Sequence, residues 1–171
     1  MLISLFLFLI SFVPSSVANA NDNFKHTICS KTTNPSACLN LKHVQTSSNP
    51  KGLTTASIEV ALSKATDIHA KLNSLYNEKD GHLGDIYLHC SKNYNDAIRD
   101  LTIAKRSLDT RHSKSAAIEA YDAEEEVKAC QVVFNDARRD PDDIKKANEE
   151  FYFLTQIARA STEELVKNNR K

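Results

Sequence analysis

The chain is poor in the residues that interrupt helices, and it has no tryptophan. Its 171 residues include only three glycines and four prolines. Strands joined by tight turns need frequent glycine, proline or asparagine and an alternating apolar pattern. Neither feature is present. The sequence therefore argues against a β-sandwich or barrel and favours long helices.

The sequence also lacks an excess of charge of either sign, and it lacks recognisable catalytic motifs. The 22 Lys and Arg residues balance the 22 Asp and Glu residues, which argues against nucleic acid as a partner. The six histidines form no HExxH pattern, and we find neither a glycine-rich phosphate loop nor a GxSxG elbow after residue 20. The sequence therefore predicts no active site, no metal site and no cofactor.

The only long apolar run lies at the start of the chain. Residues 1–20 carry no charged side chain, and the run from Leu2 to Val13 is broken only by two serines. It is too short to cross a bilayer and is followed by Ala18-Asn19-Ala20, which is typical of a signal-peptidase site. We expect a signal peptide at 1–20, one secreted domain at 21–171, and no membrane contact after cleavage.

Four later stretches repeat apolar residues at spacings of three and four, which predicts amphipathic helices. The last should open at Asp140-Pro141, with aspartate as N-cap and proline in the first turn. Short joints between helices of about 25 residues favour an antiparallel bundle. The predicted fold class is all-α: a four-helix bundle at about 53–168, with two or three small helices from about 21–50 packed on one end.

Four cysteines follow the signal segment, and secreted thiols are usually paired. Three connectivities are possible, and the sequence alone does not choose between them. Cys29 and Cys38 flank a turn, whereas Cys90 and Cys130 lie on the apolar stripes of consecutive helices. Pairing 29–38 and 90–130 needs no long-range crossing and is favoured. The second bond would close a loop of about 40 residues, worth roughly 4 kcal/mol in the chain-entropy model.

The run Glu124-Glu125-Glu126 is the most concentrated acidic segment. Three consecutive helical residues fan over about 200° and do not converge on one atom. We interpret the run as a solvated helix face.

Two segments show distinctive spacings around the cysteines. The first has the pattern C-x-x-T-x-x-P-x-x-C: Cys29-Ser30-Lys31-Thr32-Thr33-Asn34-Pro35-Ser36-Ala37-Cys38. The second has the pattern C-x-x-x-Y-x-D-A-x-x-x-L: Cys90-Ser91-Lys92-Asn93-Tyr94-Asn95-Asp96-Ala97-Ile98-Arg99-Asp100-Leu101. Together they resemble the opening segment and a later helix of the plant invertase/pectin methylesterase inhibitor family. The resemblance implies a four-helix bundle with an N-terminal helical hairpin extension, and disulfides from first to second and from third to fourth cysteine.

The resemblance also implies a function. It implies a secreted inhibitor, acting in the apoplast and cell wall, that blocks an enzyme in a one-to-one complex. Pectin methylesterase is favoured as the target, because the stretch Asp109 to Ala120 lacks the P-K-F element of invertase inhibitors. The resemblance implies that bundle helices lie across the pectin-binding cleft of that enzyme. The alternatives are inhibition of a cell-wall or vacuolar acid invertase, or a non-inhibitory helical ligand or carrier. A carrier needs a roomy apolar cavity, whereas alanine-rich stripes predict a tight core.

Charged positions on the second and third bundle helices are the predicted contacts with the target. Ordinary solvated helix faces are the competing interpretation for each of them. The candidate interface residues are Lys92, Asp96, Arg99, Asp122 and Glu126.

Overall fold

The computed structural model describes residues 15–79, 81–135 and 143–169. Within those ranges every regular element is a helix, so the all-α class with two disulfides is confirmed. No helix in this part of the chain is both long and apolar enough to cross a bilayer. The seven helices are α1 Ser15–Cys29, α2 Pro35–Asn40, α3 Lys42–Thr46, α4 Pro50–Glu78, α5 His82–Asp109, α6 Ser113–Asn135 and α7 Ile144–Asn168.

The four long helices form the bundle. Helix α5 packs between α4 and α6, and α7 closes the ring against α4 and α6. Small side chains such as Ala61, Ala97 and Ala123 are fully buried and let the helices approach closely. Tyr94 and Phe151 fill the centre with ring centroids 5.1 Å apart. Their burial confirms the predicted apolar stripes.

Local chemistry explains where α4 ends and α5 begins. Gly81 has a φ of 68°, a conformation that favours glycine, and it stands just before α5. A Cβ on Gly84 would overlap the carbonyl oxygen of Lys79. The tight turn between the two helices therefore depends on both glycines.

Helix α7 begins later than the sequence predicted. Its N-cap residue is Asp143, whose φ of 56° is left-handed and whose side chain makes no capping hydrogen bond. Since Asp143 is not helical, α7 starts at Ile144. Asp140 and Pro141 lie outside the described residues.

The small N-terminal helices pack on α4 and α7 through a second apolar cluster that includes Phe24, Ile28 and Val44. The Cys29–Cys38 disulfide ties the end of α1 to α2. In the turn between them, Thr33 donates from its backbone nitrogen and its hydroxyl to Gln156 Oε1, both at 3.0 Å. The extension is thus fixed to the bundle by polar contacts as well as apolar ones.

Two boundaries from the sequence stay predictions. Helix α1 begins at Ser15 and runs through the expected cleavage site after Ala20. The predicted extension at 21–50 overlaps α1–α3, and the predicted bundle at 53–168 overlaps α4–α7. Cleavage after Ala20 and these domain bounds stay predictions.

Candidate target-binding face

Helix α5 presents two carboxylates held by one arginine. Arg99 Nη1 donates to Asp96 Oδ1 at 2.7 Å, and its Nε donates to Asp100 Oδ1 at 3.0 Å. The Arg99 side chain is 59% exposed, whereas the Asp100 side chain is only 5% exposed. One cation is therefore shared between an exposed and a buried carboxylate.

Helix α6 brings three more carboxylates to the same place. The Cys90–Cys130 disulfide joins α5 and α6, with Cα atoms 4.8 Å apart. Because the helices are antiparallel, steps toward the C terminus of α5 are matched by steps toward the N terminus of α6. That register sets Asp96 and Asp100 opposite the stretch 119–126, which carries Glu119, Asp122 and Glu126. We call these five carboxylates together with Arg99 the acidic face.

The acidic residues influence one another's ionisation. Burial raises the pKa of Glu126, and the charges of Asp96 and Asp100 raise it further. Burial likewise raises the pKa of Glu119, and Asp100 and Asp122 add to the effect. A carboxyl that is partly desolvated among like charges resists ionisation. The face therefore holds more negative charge than its own cation neutralises.

Asp100 shows the balance within the face. Burial raises its pKa, the hydrogen bond and charge of Arg99 oppose the rise, and Asp122 and Asp96 add to it. The net direction is upward. Arg99 thus moderates the repulsion but does not remove it.

The structure brings four of the five predicted interface residues together. Asp96, Arg99, Asp122 and Glu126 lie in the acidic face, and Lys92 is exposed on α5 one turn before Asp96. The positive charge of Arg99 is offset within α5, because Arg99 forms ion pairs with two carboxylates. Whether these residues touch a target is a prediction that the fold does not test.

Sequence reasoning missed two members of the face, Asp100 and Glu119. Both follow helical spacing: Asp100 lies four residues after Asp96, and Glu119 lies three before Asp122. That spacing was a usable signal, because residues three and four apart are neighbours on a helix surface.

The interpretation of Glu124-Glu125-Glu126 as one solvated face is wrong for its first member. Glu124 is 3% exposed. Its Oε1 pairs with Lys128 Nζ at 2.9 Å and with Arg159 Nη1 of α7 at 3.2 Å. Burial of a charge is tolerated because two cations and their hydrogen bonds compensate it. Glu124 therefore links α6 to α7, whereas Glu126, on the other side of α6, belongs to the acidic face.

The geometry suits docking to another protein. The described residues hold no group of three or more His, Cys, Asp or Glu side chains arranged for a metal ion. The acidic face lies on two long helices that a disulfide holds in register. A rigid surface loses little conformational entropy when it binds, and its charge selects a partner of opposite charge.

Comparison with known proteins agrees with this picture. The sequence model of the family described as "Plant invertase/pectin methylesterase inhibitor" matches residues 23–163. The chain belongs to this family. Among its relatives is a "Pectinesterase inhibitor" from Actinidia deliciosa, which is 32% identical over 152 residues, covering 86% of this chain and 81% of the relative.

Solved structures of the family share the fold. A mutant form of a pectin methylesterase inhibitor from Arabidopsis superposes with a TM-score of 0.74 at 24% identity, over 80% of this chain and 93% of that one. A second pectin methylesterase inhibitor, from Arabidopsis thaliana, gives 0.66 at 23% identity, over 84% and 96%.

Proposed function

We propose that this member of the family is a secreted inhibitor of pectin methylesterase. It acts by occupying the enzyme's pectin-binding cleft in a one-to-one complex and carries out no reaction itself. The relative from Actinidia deliciosa, named a pectinesterase inhibitor, supports the target. Removal of residues 1–20 would release the domain 21–171 outside the cell.

The acidic face is the observation that carries the proposal. Five carboxylates lie with one arginine on a helix pair that a disulfide joins, and three of those carboxyls have raised pKa values because of burial and mutual repulsion. Such crowding opposes folding unless another molecule supplies the missing positive charge. We therefore assign Asp96, Arg99, Asp122 and Glu126 to the contact with the esterase, with Lys92 at its edge.

Inhibition assays test the target. The oxidised chain 21–171 is added to a plant pectin methylesterase, with release of methanol as the readout, and to an acid invertase, with sucrose hydrolysis as the readout. We expect inhibition of the esterase at micromolar concentration or below. Inhibition of the invertase alone would replace the proposed target with the alternative one, and inhibition of neither enzyme would favour a non-inhibitory ligand.

A pair of charge reversals tests the face. Asp122→Lys with Glu126→Lys places cations where the esterase should present its own, so inhibition should weaken at least about tenfold. Asp67→Lys with Glu149→Lys is the matched control, because both residues are exposed on α4 and α7 and the change in net charge is the same. Equal inhibition by the two variants would remove the acidic face from the interface.

A further inference from the structure

One end of the bundle carries a second charged feature, opposite in sign to the acidic face. Helices α5 and α7 end there, and α4 and α6 begin there. Two adjoining grooves, of about 420 and about 500 Å³, share Arg111, Ser113 and Asn169 in their walls. Their size lies within the roughly 300–1,000 Å³ that ligand clefts occupy.

The walls of these grooves are basic. Lys51 lines one groove, Lys114 lines the other, and Arg111 lines both. None of the described residues in either wall is acidic. No described carboxylate is seen in an ion pair with any of the three cations. We call Lys51, Arg111 and Lys114 the basic end.

Cations elsewhere in the bundle are used differently. A third groove, of about 380 Å³ between α6 and α7, is lined by Lys31, Lys128 and Arg159. Each of these three is in an ion pair with a glutamate. The shortest nitrogen–oxygen distance is 3.1 Å for Lys31, 2.7 Å for Lys128 and 2.9 Å for Arg159. The cations that line that groove are therefore compensated by neighbouring glutamates, whereas no ion pair with a described carboxylate is seen for the cations of the basic end.

The backbone at Arg111 strengthens the distinction. His112 N donates to Ser107 O at 2.8 Å and Arg111 N donates to Leu108 O at 3.2 Å, the two bonds of a Schellman motif at the end of α5. Arg111 takes the left-handed position of that motif, with a φ of 64°, where glycine is the favoured residue. A strained arginine at the rim of two grooves points to a role for its side chain.

We propose that the basic end binds the free carboxylates of an acidic polysaccharide, which tethers the inhibitor to its surroundings while the acidic face stays open for the enzyme. The choice of polymer rests on the proposed function, because removal of methyl esters from pectin leaves a chain of uronate carboxylates. A guanidinium and two ammonium groups around open grooves match a ligand that carries repeated single negative charges.

Direct binding to defined polymers tests the proposal. The oxidised chain 21–171 is titrated against immobilised polygalacturonate, fully methyl-esterified pectin and anionic phosphatidylserine vesicles at about 0.05 M salt, and the first titration is repeated at about 0.5 M salt. Binding should be confined to polygalacturonate and should be lost at high salt. Binding to esterified pectin with equal affinity, preference for the vesicles, or no binding to polygalacturonate would overturn the proposal.

A matched pair of variants locates the site. Arg111→Gln with Lys114→Gln should weaken binding to polygalacturonate by about 3- to 10-fold, as expected for two exposed ionic contacts. Lys42→Gln with Lys146→Gln removes the same charge from exposed positions on α3 and α7 and should change little. Equal weakening in both variants would mean that net charge, and not the basic end, holds the polymer.

The same variants separate this inference from the proposed function. Arg111→Gln with Lys114→Gln should still inhibit pectin methylesterase acting on a small soluble ester, because the acidic face is intact. A chain that binds polygalacturonate without inhibiting the esterase would contradict the proposed target and leave the tether standing. Thermal melts followed by circular dichroism confirm that each variant is folded.

Discussion

Glu124 and Glu126 lie two residues apart on α6, yet their surroundings differ completely. Glu124 is buried between Lys128 and Arg159, at 2.9 and 3.2 Å. Glu126 is half-buried among Asp96, Asp100 and Asp122, with only Arg99 to offset them. On one side of α6 the negative charge is balanced by cations of the same molecule, and on the other side carboxylates outnumber cations.

This contrast distinguishes charges that stabilise the fold from charges that do not. A buried carboxylate with two cationic partners stabilises the contact between α6 and α7, and its removal takes one ionic partner from each cation. Crowded carboxylates of raised pKa do the reverse, because the folded state must ionise groups that repel each other. Stability is often lower at functional sites, where binding or activity needs an unfavourable arrangement of groups, so this crowding supports a role in binding.

Breaking the compensated side should have the largest effect. Glu124→Gln keeps the shape of the side chain but leaves Arg159 and Lys128 with one carboxylate each, Glu163 and Glu125 respectively. We expect a loss of about 2 kcal/mol in the free energy of unfolding, less than for a fully enclosed pair because both cations are about a third exposed. Urea denaturation at pH 7 measures it.

The neighbouring Glu125→Gln is the control for that loss. Glu125 is 45% exposed and touches only Lys128 among the contacts seen in the described residues, so its loss should stay below about 0.5 kcal/mol. If the two variants unfolded at the same urea concentration, the distinction between a structural and a solvated glutamate would fail.

The contrast between these glutamates marks how far the sequence predicts this molecule. Spacings of three and four gave the bundle, because burial of an apolar stripe dictates helix faces directly. Four members of the acidic face were predicted only as charged positions on the second and third bundle helices, and helical spacing could have added Asp100 and Glu119. It could not separate Glu124 from Glu125, since the partner that buries Glu124 is Arg159, 35 residues away on α7.

Other features depended on long-range geometry in the same way. The groove walls of the basic end join the start of α4 to the α5–α6 connection, and no local pattern links Lys51 to Arg111. The late start of α7 at Ile144 reflects the left-handed backbone of Asp143, which a capping pattern built on Asp140 does not foresee. Local signals place helices, and tertiary contacts decide which charges are used.

Loss of Arg99, the one cation that the acidic face was defined to include, should have a smaller effect on stability. Arg99→Gln removes a charge that lowers the pKa values of Asp100, Glu119 and Glu126, so all three values should rise. Carbon-detected NMR titration of the side-chain carboxyls follows each group separately. The raised pKa values of these carboxyls should then make the unfolding free energy fall more steeply than in the unaltered chain as pH rises above their ordinary pKa values of 3.8 and 4.5.

Arg106→Gln sharpens that measurement. Arg106 lowers the pKa of Glu119 and is not among the main groups that shift the pKa of Asp100 or Glu126. It should shift mainly the titration curve of Glu119, whereas Arg99→Gln should shift the curves of Asp100, Glu119 and Glu126. Identical shifts in both variants would show that overall charge, and not the local geometry of the face, controls these carboxyls.

A small gain in stability is expected for Glu126→Gln, which tests the contrast between Glu124 and Glu126 directly. Burial and neighbouring carboxylates raise the folded pKa of Glu126 above its ordinary value of 4.5. The stabilising contribution of its protonated form is complete below that ordinary value and is lost as pH rises through the folded value. Glutamine cannot ionise, so the variant should gain about 0.5 kcal/mol at pH 7 and nothing at about pH 4.

Inhibition should move in the opposite direction for the same substitution. If the acidic face meets the esterase, Glu126→Gln should bind the enzyme more weakly at pH 7 although it is the more stable protein. Glu149→Gln, exposed on α7, should change neither quantity. A variant that gained stability and kept full inhibition would show that the carboxylate at 126 serves neither the fold nor the target. The surplus charge would then have no function in binding.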